Sequence, residues 1–465
     1  MSRLVAGGTV VTATKTFQSD ILIEEGRIVG IGENIDRKSS QEIVDATGCY
    51  VMPGAIDVHT HLNLNLGEEK VSDGFYHGSV AAAHGGTTSI VEHPGFGPAH
   101  CALNHQMDLY RDQAKDEMVV DYGFHGVVQH VDEHVLSAIK GLTATGISSL
   151  KVYLTYGGRL GDEDIIKVMK ATHAAGGLTA FHAENHAIIG ELTQEIRDKG
   201  DITDPANHPR SRPDYSEAEA VNRLIALSRA AGNAPIYIVH LSTASGLEII
   251  KEARRNGFQI HVETCPQYLT LTESCYQEAD NKRLQYIMSP PLRTQKDCDA
   301  LWEGLADGSI DVVATDHCSF SFAQKLKNGK TDIFKAPGGI PGVETRVPLL
   351  FSEGVLKNRI DLNRFVQLVA TNPATIMGLA PQKGSIDIGS DADLMIFDPE
   401  IEKIISTQVL HQHVDYTPFA GMRVKGWPKT VLLRGEVLVC DGKLSATKGF
   451  GRFINRRKNK YLVKV

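Results

Sequence analysis

The chain has 465 residues, more than one compact core requires, so two or three structural units are expected. With 42% hydrophobic and 22% charged residues and 44 glycines, the composition is that of a folded globular protein and excludes a disordered or fibrous one. A net charge of −8 argues against a nucleic-acid partner, and no apolar run is long enough to span a membrane.

The first residues, MSRLVAGGTVVTATKTF, carry no basic segment followed by an apolar run, so no secretory signal is expected. The seven cysteines are scattered and odd in number, with no CxxC pair. Reduced thiols in a cytoplasmic protein follow from that spacing.

Residues 1–52 read as short β segments, at 3–11, 20–25, 27–31 and 42–45, with a tight turn at Glu25-Gly26. Residues 384–445 return to the same style, and the two ends are expected to form one small β-sandwich. Between them, residues 53–383 alternate apolar runs with helix-like stretches. The runs are AIDVHTHL, TTSIVEH, VVDYGFHGVV, SSLKVYLTY, LTAFHAE, PIYIVHLS, FQIHVETCP and IDVVATDHC. Connectors at 163–174, 217–231 and 246–256 read as helices. Eight strands alternating with helices predict an α/β fold, a (β/α)8 TIM barrel. Residues 446–465 form a basic tail, read either as a solvated charge run or as an arm for a neighbouring subunit.

Metal-competent side chains stand at the C-terminal ends of these runs, the face on which such barrels carry their sites. His59 and His61 end the first run, and two residues apart on a strand means one shared face. His182 ends the fifth, His240 the sixth and Asp316 the eighth, while Lys151 lies in the fourth. Each has an ordinary alternative: a hydrogen-bonded core histidine, an aspartate capping a helix, a lysine in a salt bridge. The joint pattern is what points to a metal site. His77, His84, His100 and His105 fall in connectors and read as surface residues. His93 and His125 end the second and third runs with nothing to pair them with the set, and His317 faces away from Asp316.

Lys151 is the odd member. A protonated ammonium is repelled by dications and has no lone pair. A buried lysine in a cationic site loses its proton, and the neutral amine can take up CO₂ as a carbamate with one oxygen for each of two metals.

The motifs PGAIDVHTH, GISSLKVYLTY, FHAEN, IVHLS, SPPLR and VVATDHC resemble those of the cyclic amidohydrolases, most closely the hydantoinase/dihydropyrimidinase branch, over about residues 1–450. The resemblance implies two divalent metal ions, of zinc type, on the barrel. One is held by His59, His61, Lys151 and Asp316, the other by Lys151, His182 and His240, with Lys151 as N6-carboxylysine. It implies that Tyr156 hydrogen-bonds the scissile carbonyl oxygen, that Ser289 binds the ring amide through its backbone, and that Asp316 relays the proton. A third contact, usually an asparagine, falls on Gly338; the family contact is largely main-chain, so binding is expected to survive the change. The implied reaction opens the cyclic amide ring of 5-substituted hydantoins or dihydropyrimidines to N-carbamoyl amino acids. The implied assembly is a homotetramer.

Within the branch, dihydroorotases carry an arginine shortly after the HxH pair. Here Leu62-Asn63-Leu64 follows, which disfavours an anionic ring. Allantoinase-type substrates and a non-catalytic dihydropyrimidinase-related binding protein are the alternatives; the second conflicts with six filled ligand positions. Leu64, Leu66, Tyr153 and Arg159 are expected to line the pocket for the ring substituent, and Leu66 and Tyr153 suit a bulky apolar or aromatic one.

Overall fold

The computed structural model describes residues 2–36 and 40–458. Lys460 and Lys464 of the basic tail lie outside the described residues.

The N-terminal segment begins as a strand, Ser2–Ala6, antiparallel to Asp20–Glu24 and parallel to Glu42–Asp45. Asp20–Glu24 turns back on Arg27–Gly32 through Glu25 and Gly26, whose φ angles are +48° and +80°. Two left-handed residues in a two-residue hairpin match the twist of the flanking strands. A second, seven-stranded sheet mixes the chain ends: Leu394–Ile404 pairs with Tyr50–Pro53 on one side and Arg423–Leu433 on the other. Val5, Ile21, Ile23, Val51, Leu394, Ile396 and Leu432 share the core between the two sheets.

Eight parallel strands make the barrel. The first is Ala55–Thr60, followed by Thr87–Glu92, and the third breaks at His125. Its front half, Asp121–Phe124, pairs with the second strand, and its back half, Gly126–Val127, pairs with Ser149–Tyr153. The continuous run read at 119–128 is therefore two short pieces that hand the sheet across a bend. Leu178–His182, Ile236–Ile238, Ile260–Thr264 and Val312–Val313 complete the round. Closure comes from the Asp316 amide, which donates to the His59 carbonyl at 2.9 Å, and from the parallel bridge of Thr60 with His317. Valine, isoleucine and threonine are the commonest residues of these strands, whose faces are both covered, one by the helices and one by the barrel interior. The three expected connectors are helices at Asp162–Ala174, Asp214–Ala230 and Ala244–Arg255.

At the end of the described chain Lys448, Arg452, Arg457 and Lys458 are exposed, as in a solvated charge run, and Arg456 is the exception. Residues 451–457 run against the barrel, with the Tyr122 amide donating to the Arg452 carbonyl and the Ile454 amide to that of Tyr122. Arg456 is buried, donating from Nη2 to the Phe124 carbonyl at 2.5 Å and from Nη1 to Ser149 Oγ at 2.9 Å. Buried backbone and hydroxyl acceptors hold this cation in place of water.

Candidate metal centre and its cavity

At the C-terminal mouth of the barrel, side chains from separate strand ends converge on one cavity. His59 Nε2 lies 3.1 Å and His61 Nε2 3.2 Å from the same oxygen, Asp316 Oδ1. Beside them, His240 Nε2 stands 2.9 Å from His182 Nδ1, and the His59 and His240 rings stack with centroids 5.4 Å apart. Lys151 lines the same cavity and is almost wholly buried. The backbone is bent to achieve this: His240, Asp316 and Tyr156 hold φ of +39°, +53° and +70°. Left-handed backbone at residues other than glycine is costly and concentrates at functional sites.

Behind the converging atoms stands a layer of carboxylates that the sequence motifs did not single out. His59 Nδ1 donates to Glu263 Oε1 at 2.6 Å, and Tyr237 donates its hydroxyl to the other oxygen at 2.9 Å. His182 Nε2 meets Glu184 Oε2 at 2.7 Å, and Arg212 meets the same oxygen at 2.5 Å. With the outer nitrogen of each ring bound to a carboxylate, the tautomer follows from the hydrogen bond, and His59 Nε2 and His182 Nδ1 are the lone-pair atoms facing the cavity.

For His59 the electrostatics favour a second proton, on Nε2, which a bound cation would displace. Burial opposes protonation of His59, but Glu263 and Asp316 outweigh it and hold the ring up to about 9. Burial lowers His61 and His182, and lowers His240 strongly with help from His182. Asp316 is half-buried, and loss of water raises a carboxyl, yet His59 and His61 keep it far below the usual range, so it is an anion. Burial lowers the Lys151 amine to about 8 against the pull of Asp316 and Glu263. A lysine so lowered is about one-tenth neutral at pH 7, far more than an ordinary lysine.

The residues fit a metal pair. His59, His61 and Asp316 present ligand atoms within 4.8 Å of one another. His59 Nε2 is buried, and its one close polar neighbour is Asp316 Oδ1, itself a candidate ligand, without good hydrogen-bond geometry between them. The facing nitrogens of His182 and His240 converge to a separation that a proton or a cation must mediate. Imidazole and carboxylate donors backed by carboxylates suit divalent metals of the zinc type. A second acidic cluster, Asp121, Asp391 and Asp393, is already filled: Lys383 Nζ sits 2.8, 3.2 and 2.5 Å from its three carboxylates.

The cavity over these residues has a volume of about 640 Å³. Tyr156, Ser289 and Gly338 line it, as do Leu64, Leu66 and Tyr153. Arg159 does not line it; its backbone amide and guanidinium fold back onto the Tyr156 carbonyl at 3.4 and 3.1 Å. Phe96, Ile189, Ile333 and Phe334 supply apolar wall instead. Tyr156 is 36% exposed, but withdrawal of its phenol from water pushes the group up to about 12, so the hydroxyl stays a donor. Of the other histidines, His93 is buried between the rings of His59 and His125, at 4.2 and 3.9 Å. His317 is held by Asp73 and by the amides of Gly342 and Val343, a structural post. His84, read as a surface residue, is buried and stacks on His411 at 3.4 Å. The spacing of a connector does not reveal that a distant loop returns to cover it.

Comparison with known proteins places the chain. The profile of the amidohydrolase family matches residues 50–438. A D-phenylhydantoinase of Escherichia coli is 46% identical over 457 residues, covering 98% of each chain. Among solved structures, the dihydropyrimidinase of Brevibacillus agri superposes with a TM-score of 0.96 at 40% identity, covering 98% of this chain and 99% of that one. The D-hydantoinase of a Bacillus species gives 0.94 at 40% identity, with the same coverage.

Proposed function

This chain belongs to the amidohydrolase family, and from that premise we propose that it is a metal-dependent hydrolase that opens the cyclic amide ring of 5-substituted hydantoins to N-carbamoyl amino acids. The observation that carries the reading is the convergence of His59, His61 and Asp316 beside the His182–His240 pair, in one cavity with Tyr156 and Ser289.

In this reading His59, His61, Lys151 and Asp316 hold one ion and Lys151, His182 and His240 the other, with Lys151 carboxylated. Two divalent ions, which we take to be zinc, supply acidified water at neutral pH and polarise the carbonyl. The remaining work belongs to the chain's own side chains. Backbone groups of Ser289 and Gly338 take the ring amide. Tyr156 donates its hydroxyl to the carbonyl oxygen as negative charge develops there. Asp316, kept anionic by its histidines, accepts a proton from the attacking water and returns it to the leaving nitrogen. The carbonyl carbon gains an oxygen, the ring C–N bond breaks, and the nitrogen leaves protonated.

The apolar wall of Leu64, Leu66, Phe96 and Tyr153 supports an aryl or alkyl substituent on the ring. Dihydropyrimidines are the second substrate class, favoured by the likeness to a dihydropyrimidinase. The seven cysteines, all unpaired, fit a reducing, cytoplasmic setting, and assembly as a homotetramer rests on the family resemblance alone. No helix of the described residues is long and apolar enough to cross a membrane.

The test is ring opening of hydantoin, 5-phenylhydantoin, dihydrouracil, allantoin and dihydroorotate by the metal-loaded protein. Turnover of 5-phenylhydantoin ahead of the others is expected. Turnover of dihydroorotate alone would overturn the substrate assignment.

A further inference from the structure

Helix Phe322–Gly329 packs one face against two chain segments at once. Its Lys325 is wholly buried, and Nζ donates to the Ile287 carbonyl at 2.7 Å and the Pro337 carbonyl at 2.9 Å. One turn later Gly329 is in close approach to both segments: a Cβ there would stand 2.9 Å from Leu284 and 2.9 Å from Ala336. The first segment leads into Ser289, and the second runs straight into Gly338. Between the segments themselves, the Gly339 amide donates to the same Ile287 carbonyl at 3.1 Å. At the cavity they come into ordinary contact, with a Cβ built on Gly338 3.9 Å from Ser289 Oγ.

Resting on the function proposed above, we infer that Lys325 is a positioning residue, which sets the separation of the Ser289 and Gly338 backbone groups that take the ring amide. The chemistry of the site argues for a role beyond filling space. A buried amine without an acid partner is costly, and an aliphatic residue would occupy the same volume without that cost. Burial lowers Lys325 to about 7, with no carboxylate among its influences. A neutral amine has two N–H donors, and the two carbonyls use both. The need is local as well: Pro337-Gly338-Gly339 carries two glycines, and Gly339 holds φ of +133°. Glycine leaves a backbone more freedom to lose on ordering, so a cradle built on it needs an external tie. Because Ile287 and Pro337 are held on one nitrogen, the effect is expected in substrate binding rather than in the chemical step.

The test is steady-state kinetics on 5-phenylhydantoin with metal-loaded wild type, Lys325→Met and Lys325→Gln. Loss of one or two buried hydrogen bonds in the support predicts that Lys325→Met raises KM about tenfold while kcat changes less than about threefold. Lys325→Gln, which keeps an N–H donor, recovers part of that loss. With n-propylamine, Lys325→Ala is expected to regain affinity for substrate. A wild type that opens no hydantoin defeats the function itself and is distinguishable from failure of this inference. With active wild type, an unchanged KM in Lys325→Met overturns the role, as does a lowered melting temperature with unchanged kinetics. Should Lys325→Met not fold, Lys325→Gln decides: a raised KM with kcat retained supports the tie, and an unchanged KM overturns it.

Discussion

His59 Nδ1 sits 2.6 Å from Glu263 Oε1, a carboxylate wholly buried in the barrel wall and also held by the Tyr237 hydroxyl. The same oxygen accepts the His240 amide at 3.1 Å, so one carboxylate orients a ring from the ligand set proposed for the first ion and the backbone of a ligand proposed for the second. Outer partners of this kind raise the basicity of the ligand and fix its ring. Glu263→Gln is therefore expected to weaken metal retention by about 10–100-fold while leaving the fold intact. Metal content after dialysis against graded chelator checks this; retention equal to wild type would remove Glu263 from the site's support.

Tyr156 offers a hydroxyl at the cavity wall, and its left-handed backbone aims the side chain. Removing one donor from a site of developing negative charge costs about 10²–10³ in kcat. Tyr156→Phe is expected to lose activity on that scale with KM and melting temperature little changed. A loss below about threefold would deny the Tyr156 hydroxyl its role in stabilising the oxyanion.

Arg456 fills a buried position with bonds to Phe124 and Ser149. Arg456→Ala takes its partner from the Phe124 carbonyl, at about 1–3 kcal/mol for an unsatisfied group, while Ser149 Oγ keeps His125 Nδ1 at 2.7 Å. A fall in melting temperature follows, with the metal centre retained because Arg456 touches none of its ligands. Unchanged stability would deny Arg456 a role in anchoring the tail.

Lys325 also gives the stability a pH dependence of definite sign. Its amine titrates at about 7 in the folded chain against an ordinary value of 10.5. Between those values the unfolded chain binds a proton that the folded one does not, so stability rises with pH across that window. Below about 7 the penalty is constant. Relative to Lys325→Met, wild type is expected to gain thermal stability from pH 7 to pH 9; a difference that stays flat or shrinks contradicts the buried, lowered amine.

The barrel was legible because its strands announce themselves as β-branched runs ending in polar residues, and His59 and His61 could be paired from their spacing alone. Glu263 was not. It stands in FQIHVETCP as one charge within an apolar run, and its partner His59 lies 204 residues away. Only the closed barrel brings them together, whereas Glu184 and Arg212 meet within the single connection that follows Leu178–His182. Arg159 was misplaced for a different reason: the left-handed turn at Tyr156 folds the following residues back, which residue type does not reveal. Lys325 escaped notice because a lysine in a polar helix reads as solvated, and its carbonyl acceptors carry no side-chain signature.

The metal-dependent ring opening is tested most directly by metal content and 5-phenylhydantoin turnover measured on the same preparation, before chelation, after it, and after restoring zinc. Two ions per chain are expected, with loss of ring opening on their removal and recovery on their return. Full turnover by metal-free protein would contradict the binuclear centre at His59, His61, Lys151, His182, His240 and Asp316.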